Sequence, residues 1–142
     1  MKECYYIQKL RDNKIKVTPK RKEIINIFLN EKCFLDPEQI FIKMKENFDS
    51  VSFPSIYRNL ETMSQIGILT EIHKPDRKLY YALCKAIHGA HHHHIVCIKC
   101  GKTEEFYDCI FDEKKEINGF KIITHSLQLD GICPKCREQY PL

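Results

Sequence analysis

The sequence predicts an α+β protein with an N-terminal winged helix-turn-helix domain and a small C-terminal α/β domain that holds a Cys4 zinc site. Helical apolar spacing dominates the first half, and two C-x2-C pairs stand in the last third. Charge is also divided unequally, because residues 1–84 contain 15 Lys and Arg against 11 Asp and Glu, whereas the remainder is neutral. We expect domains at 1–84 and 91–142, joined by a hinge at 85–90.

Helix start signals divide the first part of the chain. A short amphipathic helix is expected over Tyr5–Asn13. Thr18-Pro19 and Asp36-Pro37 each combine an N-cap residue with proline at the first helical position, and Ser52 opens one more helix. The apolar stripe of that last helix consists of Ile56, Leu60, Met63 and Ile66. Gly67 is expected to end it.

Strand patterns follow the helices. Ile68–Ile72 and Lys78–Leu83 predict a hairpin with a basic turn, and three helices before such a hairpin are the order of a winged helix-turn-helix. The next expected element is a strand that runs from the histidines to Glu105. A helix from Asp112 to Asn118 and two strands at Phe120–Ile123 and Ser126–Leu129 are expected after it.

The composition excludes several classes of protein. Hydrophobic residues make up 43% and charged residues 30%, which is typical of soluble globular proteins. No apolar run reaches the length of a membrane span, and the N-terminus shows no secretion signal. We therefore expect a cytoplasmic protein without a membrane partner, in which eight cysteines favour metal binding over disulfides.

The two C-x2-C pairs predict a structural zinc site. Two thiolates on one tight turn reach the same ion, and a second turn completes a tetrahedral cage. The predicted ligands are Cys97, Cys100, Cys133 and Cys136. Buried free cysteines are the competing interpretation. The 32 residues between the pairs require other elements to fit between them.

Four consecutive histidines, His91–His94, precede the first cysteine pair. Alternate residues of a strand point to opposite faces, so His91 and His93 would share one side and His92 and His94 the other. The run can thus serve two metal sites, with a solvated histidine patch as the alternative.

The helix that opens after Ser52 carries polar residues off its apolar stripe. Arginine reads guanine edges or binds phosphate, and tyrosine contacts phosphate or a thymine methyl group. This helix is the last of the three helices that precede the hairpin, and in a basic three-helix unit the last helix is the element that reads DNA. The DNA-binding candidates are Lys16, Arg21, Ser55, Tyr57, Arg58 and Asn59.

These elements together resemble the ferric uptake regulator family of bacterial metal-responsive repressors. The most specific segments are Val17–Arg21, Ser55–Leu60, His91–Lys102 and Gly131–Cys136. The resemblance implies a homodimer that binds double-stranded operator DNA through its N-terminal winged helix. The C-terminal domain would dimerise and bind metal, and no small-molecule substrate or enzymatic activity is expected.

The resemblance also implies three metal sites. The structural zinc site falls on the four cysteines named above. A regulatory site at the hinge falls on His92, His94 and Glu105, and Cys84 best fills the position at the end of the wing hairpin that joins them. This chain offers His73, across the wing, as a further candidate ligand of that site. A second regulatory site falls on His91, His93, Asp112 and His125.

Departures from the family pattern bear on the metal. Iron- and peroxide-sensing members place a histidine just before the helix that opens at Asp36, where this chain has Cys33-Phe34-Leu35. The Cys84 thiolate favours Zn²⁺, whereas Fe²⁺ and Mn²⁺ favour imidazole and carboxylate ligands. Cys109 also resembles zinc uptake regulators. We expect a zinc sensor, with iron, manganese or peroxide sensing as alternatives. The sequence assigns no role to Cys4, Cys33 or Cys109.

Two other classes of function are alternatives to a metal-dependent repressor. A zinc hydrolase with Glu105 as base is remote, because the chain has no H-E-x-x-H motif or other acid/base pair. A structural zinc-ribbon module that binds partner proteins is the second.

Overall fold

The computed structural model describes residues 2–31, 33–84, 92–109, 115–123 and 125–139. The architecture is α+β, as predicted. Packing divides the chain into two compact units. The first unit comprises Met1–His73 and Lys78–Lys85, and the second comprises Lys74–Arg77 and Ala86–Leu142. The predicted hinge at 85–90 lies outside the described residues.

Helices and one hairpin form the first unit. Its elements are α1 (Lys2–Asp12), α2 (Pro19–Glu31), α3 (Pro37–Asn47), α4 (Phe53–Gln65), β1 (Leu69–His73) and β2 (Leu79–Leu83). The β1 and β2 strands are antiparallel, with Leu69 opposite Leu83. The start of α3 is fixed by a capping box: the Gln39 backbone N–H donates to the Asp36 carboxylate over 2.8 Å, and the Asp36 N–H donates to the Gln39 side chain over 2.9 Å.

The apolar stripe of α4 lies at the centre of the first unit. Ile56, Leu60 and Met63 are almost completely buried, and Ile66 is partly buried against the same core. This burial confirms the predicted stripe and leaves the opposite face of α4 to polar residues. The positions of Tyr57 and Arg58 on the surface follow from it.

Short strands and one short helix form the second unit. Its described elements are β3 (His93–Cys97), β4 (Thr103–Phe106), β5 (Glu116–Ile117), β6 (Phe120–Lys121), β7 (Gln128–Gly131) and α5 (Pro134–Gln139). The sheet order is β4-β3-β7, with β3 antiparallel to β4 and parallel to β7. The β5 and β6 strands form a separate hairpin.

Three parts of the second unit differ from the sequence prediction. The predicted helix over Asp112–Asn118 is wrong at Glu116–Ile117, which form β5. Asn118 and Gly119 have φ values of 51° and 82°, the two positive angles of a tight hairpin turn that Asn-Gly favours. The strand predicted to run on to Glu105 is interrupted by the turn at the first cysteine pair, and α5 was not predicted.

No helix among the described residues is long and apolar enough to cross a membrane.

The packing of α4 gives a direct test of the first unit. Ile56→Ala removes a completely buried side chain and leaves a cavity, so it should lower the free energy of unfolding by about 2–5 kcal/mol. Ile42→Ala on α3 is the matched control, because Ile42 is 63% exposed and its truncation should change stability by less than about 0.5 kcal/mol. Denaturant unfolding followed by helical circular dichroism measures both. Equal midpoints for the two variants would contradict this packing.

Candidate metal sites and nucleic-acid surface

The two cysteine pairs meet at one end of the β4-β3-β7 sheet. One metal-ligating atom from each of Cys97, Cys100, Cys133 and Cys136 lies within 4.8 Å of all the others. The sulfurs of Cys100 and Cys133 are 3.7 Å apart, close to the separation of about 3.8 Å that two thiolates have on one tetrahedral zinc. The four sulfurs therefore fit a closed zinc cage, as the sequence predicted.

The parallel pairing of β3 with β7 brings these cysteines together. Cys97 is the last residue of β3 and lies opposite Gly131, and the Ile98 N–H donates to the Gly131 carbonyl over 2.8 Å. The chain then turns at Gly101, whose φ of 81° suits glycine. The second pair follows β7 at the start of α5, so the long gap between the pairs is spanned without separating them.

Hydrogen bonds shift the pKa values of the cage thiols in opposite directions. The backbone N–H groups of Cys100 and Cys133 hold the pKa of the Cys97 thiol down to about 6, because they stabilise the thiolate. The Cys133 thiol, by contrast, raises the pKa of Cys136 to about 12. Of these two thiols, Cys97 is therefore the one that more readily loses its proton to bind a metal as a thiolate.

A second cluster lies at the start of β3 and on β4, with His92 directly before β3. His94 lies opposite Glu105 in the strand register, with 3.9 Å between His94 Nε2 and the nearer Glu105 oxygen. The rings of His92 and His94 are 5.2 Å apart. One ligand atom from each of the three residues lies within 4.8 Å of the other two. Two imidazoles and a carboxylate suit Zn²⁺, Fe²⁺ or Mn²⁺.

The surroundings of this second cluster favour the neutral form of the His94 imidazole, which is the form that binds metal. Burial, and next the neighbouring His92, lower the pKa of His94, so at neutral pH its imidazole is uncharged and one ring nitrogen is free to bind a metal. The Tyr107 hydroxyl donates to the other Glu105 oxygen over 3.3 Å and orients that carboxylate.

A third cluster lies on the other side of β3. One ligand atom each from His93, Cys109 and His125 lies within 4.8 Å of the other two. His92 and His94 join one cluster and His93 another, which agrees with the two-face prediction. His91 and Asp112, also predicted at the third site, lie outside the described residues. Cys109 was not among the predicted site residues, because no local pattern in the sequence places it beside His93 and His125.

The other two predicted regulatory ligands belong to the first unit. His73 ends β1 and is exposed, and Cys84 follows β2 and is half-buried. The Tyr6 hydroxyl donates to the Cys84 carbonyl over 3.1 Å, which fixes the backbone there.

The predicted DNA-binding residues cluster at the start of α2 and α4. Four of them line a surface depression of about 620 Å³, namely Arg21, Ser55, Arg58 and Asn59. The other lining residues are Thr18, Pro19, Lys20, Phe48 and Thr62. Arg21 donates to the Asn59 side chain over 3.1 Å and to the Lys16 carbonyl over 2.7 Å. Arg58 and Tyr57 are exposed beside this network.

Comparison with known proteins gives the family. The family model described as "Ferric uptake regulator family" matches residues 12–130. The chain belongs to the ferric uptake regulator family. Members are dimeric, DNA-binding, metal-dependent transcription regulators and not enzymes, and this chain is a transcription regulator of that family.

Curated relatives and solved structures agree with this assignment. The ferric uptake regulation protein of Neisseria meningitidis serogroup A is 34% identical over 96% of each chain, and that of Staphylococcus aureus is 35% identical over 93% of this chain and 96% of the relative. The ferric uptake regulator of Francisella tularensis, solved with iron, matches with a TM-score of 0.61 and 30% identity, over 87% of this chain and 95% of that one.

The Cys4 cage in this family member can be tested by removing one ligand. Cys97→Ser should abolish tight zinc binding at the cage and unfold the second unit, because a structural zinc site contributes its binding energy to folding. Zinc per chain after dialysis against a mild chelator, together with circular dichroism, measures both effects. Cys33→Ser, an exposed cysteine of the first unit, is the control and should retain the metal. Wild-type zinc content in Cys97→Ser would remove Cys97 from the cage.

Proposed function

We propose that this member of the family is a cytoplasmic repressor of metal-uptake genes that binds palindromic operators as a homodimer when its regulatory metal is bound. The observation that carries the proposal is the His92, His94 and Glu105 cluster. It is separate from the Cys4 cage yet built on the same strand, and its three protein ligands leave room for a further one. A closed cage holds the fold, whereas an incomplete site can respond to metal supply.

Zn²⁺ is the proposed metal at both of these sites. At the cage, four thiolates favour zinc. At the regulatory site, the prediction that Cys84 and His73 add a thiolate and a third imidazole stays a prediction, and it favours zinc over Fe²⁺ and Mn²⁺. Iron, manganese or peroxide sensing is the alternative within the family.

The DNA-binding surface proposed is the exposed side of α4 with the start of α2. Arg58 is exposed and can reach a base edge or a phosphate. Arg21 is held by Asn59 and the Lys16 carbonyl, so its guanidinium is fixed before DNA arrives. Ser55 and Tyr57 complete the proposed surface on the first turns of α4. A pre-ordered arginine loses less entropy on binding.

Homodimerisation is supported by apolar side chains on the surface of the second unit. The exposed large apolar residues there include Ile95, Ile98, Ile117, Phe120, Ile123 and Leu129. Phe120 and Ile123 are 77% and 82% exposed, which is costly for a protein that stays monomeric. A second copy that covers these residues removes them from water.

The proposed mechanism is a shift in population between arrangements of the DNA-binding units. The ligands hold a divalent ion best in one arrangement, so metal favours that arrangement. In the dimer it presents two α4 helices at the spacing of successive major grooves, which a palindromic operator matches. The ion supplies positive charge and fixed ligand directions, and the residues of β3 and β4 position it.

Removing a ligand from the β3–β4 cluster should uncouple DNA binding from metal. Glu105→Gln and His94→Ala should each lose most of the metal-dependent increase in affinity for a duplex selected by the zinc-loaded wild type, while the cage keeps its zinc. Cys84→Ser tests the predicted ligand from the first unit in the same way. Fluorescence anisotropy with and without added Zn²⁺ measures the increase.

The matched control for this cluster is Glu104→Gln. Glu104 neighbours Glu105 on β4 and therefore points to the opposite face. It should keep the wild-type metal response. The proposal is wrong about this cluster if Glu105→Gln and His94→Ala respond to zinc as the wild type does.

The DNA surface is tested separately. Arg58→Ala should weaken binding to the selected duplex by about 1–3 kcal/mol if the guanidinium reads a base. Arg137→Ala, which removes the same charge from the second unit, should change affinity little. Salt titrations of both variants distinguish a phosphate contact from a base contact. Unchanged affinity in Arg58→Ala would place Arg58 outside the interface.

A further inference from the structure

The side-chain amide of Asn59 is held in one orientation by Arg21. The Arg21 Nε–H donates to Asn59 Oδ1 over 3.1 Å. Arginine has donors and no acceptor, so the oxygen end of the amide has to face it. Turning the amide over would set its NH2 group against the Arg21 N–H, donor against donor. The amino nitrogen of Asn59, Nδ2, is therefore directed away from Arg21.

Arg21 is itself fixed in place. Its Nη1 donates to the Lys16 carbonyl over 2.7 Å, so two nitrogens of one planar guanidinium are bonded at once. Arg21 and Asn59 are both half-buried, and Asn59 directly precedes Leu60, which is completely buried in the core of the first unit. The direction of the Asn59 amino group is thus set by the folded first unit, and little conformational freedom remains to be lost when a ligand binds.

Asn59 lines the surface depression at the starts of α2 and α4. It lies one turn after Ser55 and next to Arg58, and all three line the depression. None of the lining residues, which all belong to the described part of the chain, is acidic, and the basic ones are Lys20, Arg21 and Arg58. Such a surface favours a ligand with negative charge and many acceptors, as DNA has. Asn59 lies in the N-terminal half of α4, the half of a recognition helix that reaches base edges in the major groove.

We propose that Asn59 reads a purine in the major groove of the operator and selects guanine over adenine, with Arg21 as its positioning residue. This inference rests on the proposed DNA-binding surface, to which Asn59 belongs. Asparagine ordinarily binds adenine with both ends of its amide, because the oxygen accepts from N6 while the amino group donates to N7. In this chain Arg21 engages the oxygen, which leaves the amino group of Asn59 to read the base.

An amino group on its own fits guanine better than adenine. The major-groove edge of guanine presents two adjacent acceptors, N7 and O6, and both can take a hydrogen bond from Nδ2. Adenine presents N7 beside its N6 amino group, which would meet the Asn59 amino group donor against donor. Burying one donor against another leaves both without an acceptor and costs free energy. Arg21 and Asn59 together therefore predict a guanine at one position of each operator half-site.

Base preference with and without the Asn59 amide tests this inference. The zinc-loaded wild type and Asn59→Leu each select duplexes from a random pool, and the position at which the two selections differ is identified. Fluorescence anisotropy then compares duplexes with a G·C or an A·T pair at that position. The wild type should bind the guanine duplex at least about fivefold more tightly, and Asn59→Leu should bind the two duplexes equally. Asn47→Leu removes the same amide from an exposed position of α3 and, as the matched control, should keep the wild-type ratio.

Two further variants complete the experiment. Asn59→Asp has the same shape and keeps an oxygen for Arg21 but has no donor, so it should bind the adenine duplex more tightly than the guanine duplex. It serves as the test if Asn59→Leu fails to fold by circular dichroism. Arg21→Met releases the amide, which can then turn and pair with adenine, so the preference for guanine should be lost.

The inference is overturned if the two selections agree at every position, or if a folded Asn59→Leu or Asn59→Asp variant keeps the wild-type preference for guanine. An unchanged preference in Arg21→Met would overturn the positioning role of Arg21. If these results come with weakened binding in Arg58→Ala, the proposed DNA-binding surface stands and only this inference fails. If Arg58→Ala binds as the wild type does, the surface itself is wrong and this inference fails with it.

Discussion

The hydrogen-bonded position of β3 is the constraint on which the second unit depends. β3 pairs with β4 on one side and with β7 on the other, so its residues are fixed in register from both edges. Alternation along the strand separates His93 from His94, and the last residue, Cys97, enters the Cys4 cage. One five-residue strand thereby contributes a ligand to each of three candidate metal sites.

The three clusters differ in chemistry in a way that suits different tasks. The cage offers four sulfurs, which would fill a tetrahedral coordination sphere, and in so small a unit a metal bound there would contribute to folding. The His92, His94 and Glu105 cluster has oxygen and nitrogen donors and an incomplete set of ligands. An incomplete set binds more weakly than a closed cage and so can follow changes in metal supply. We thus propose that neighbouring groups of residues serve stability and the response to metal.

The sequence predicted local features more reliably than long-range ones. N-caps, prolines and the stripe on α4 depend on neighbouring residues, so the helices of the first unit lie where they were expected. The helix expected over Asp112–Asn118 is wrong at Glu116–Ile117, because the Asn118-Gly119 turn favours a hairpin there. Cys109 was missed because its approach to His93 and His125 depends on the fold beyond β4, which no local pattern encodes.

Metal-controlled DNA recognition is the central claim, and linkage offers its most direct test. If metal tightens DNA binding, DNA must tighten metal binding by the same factor. Zinc affinity of the cage-loaded wild type should be measured by competition with a chromophoric chelator, with and without the selected duplex. The account predicts tighter zinc binding with the duplex, by the factor that zinc confers on DNA affinity. Equal zinc affinity in both conditions would contradict it.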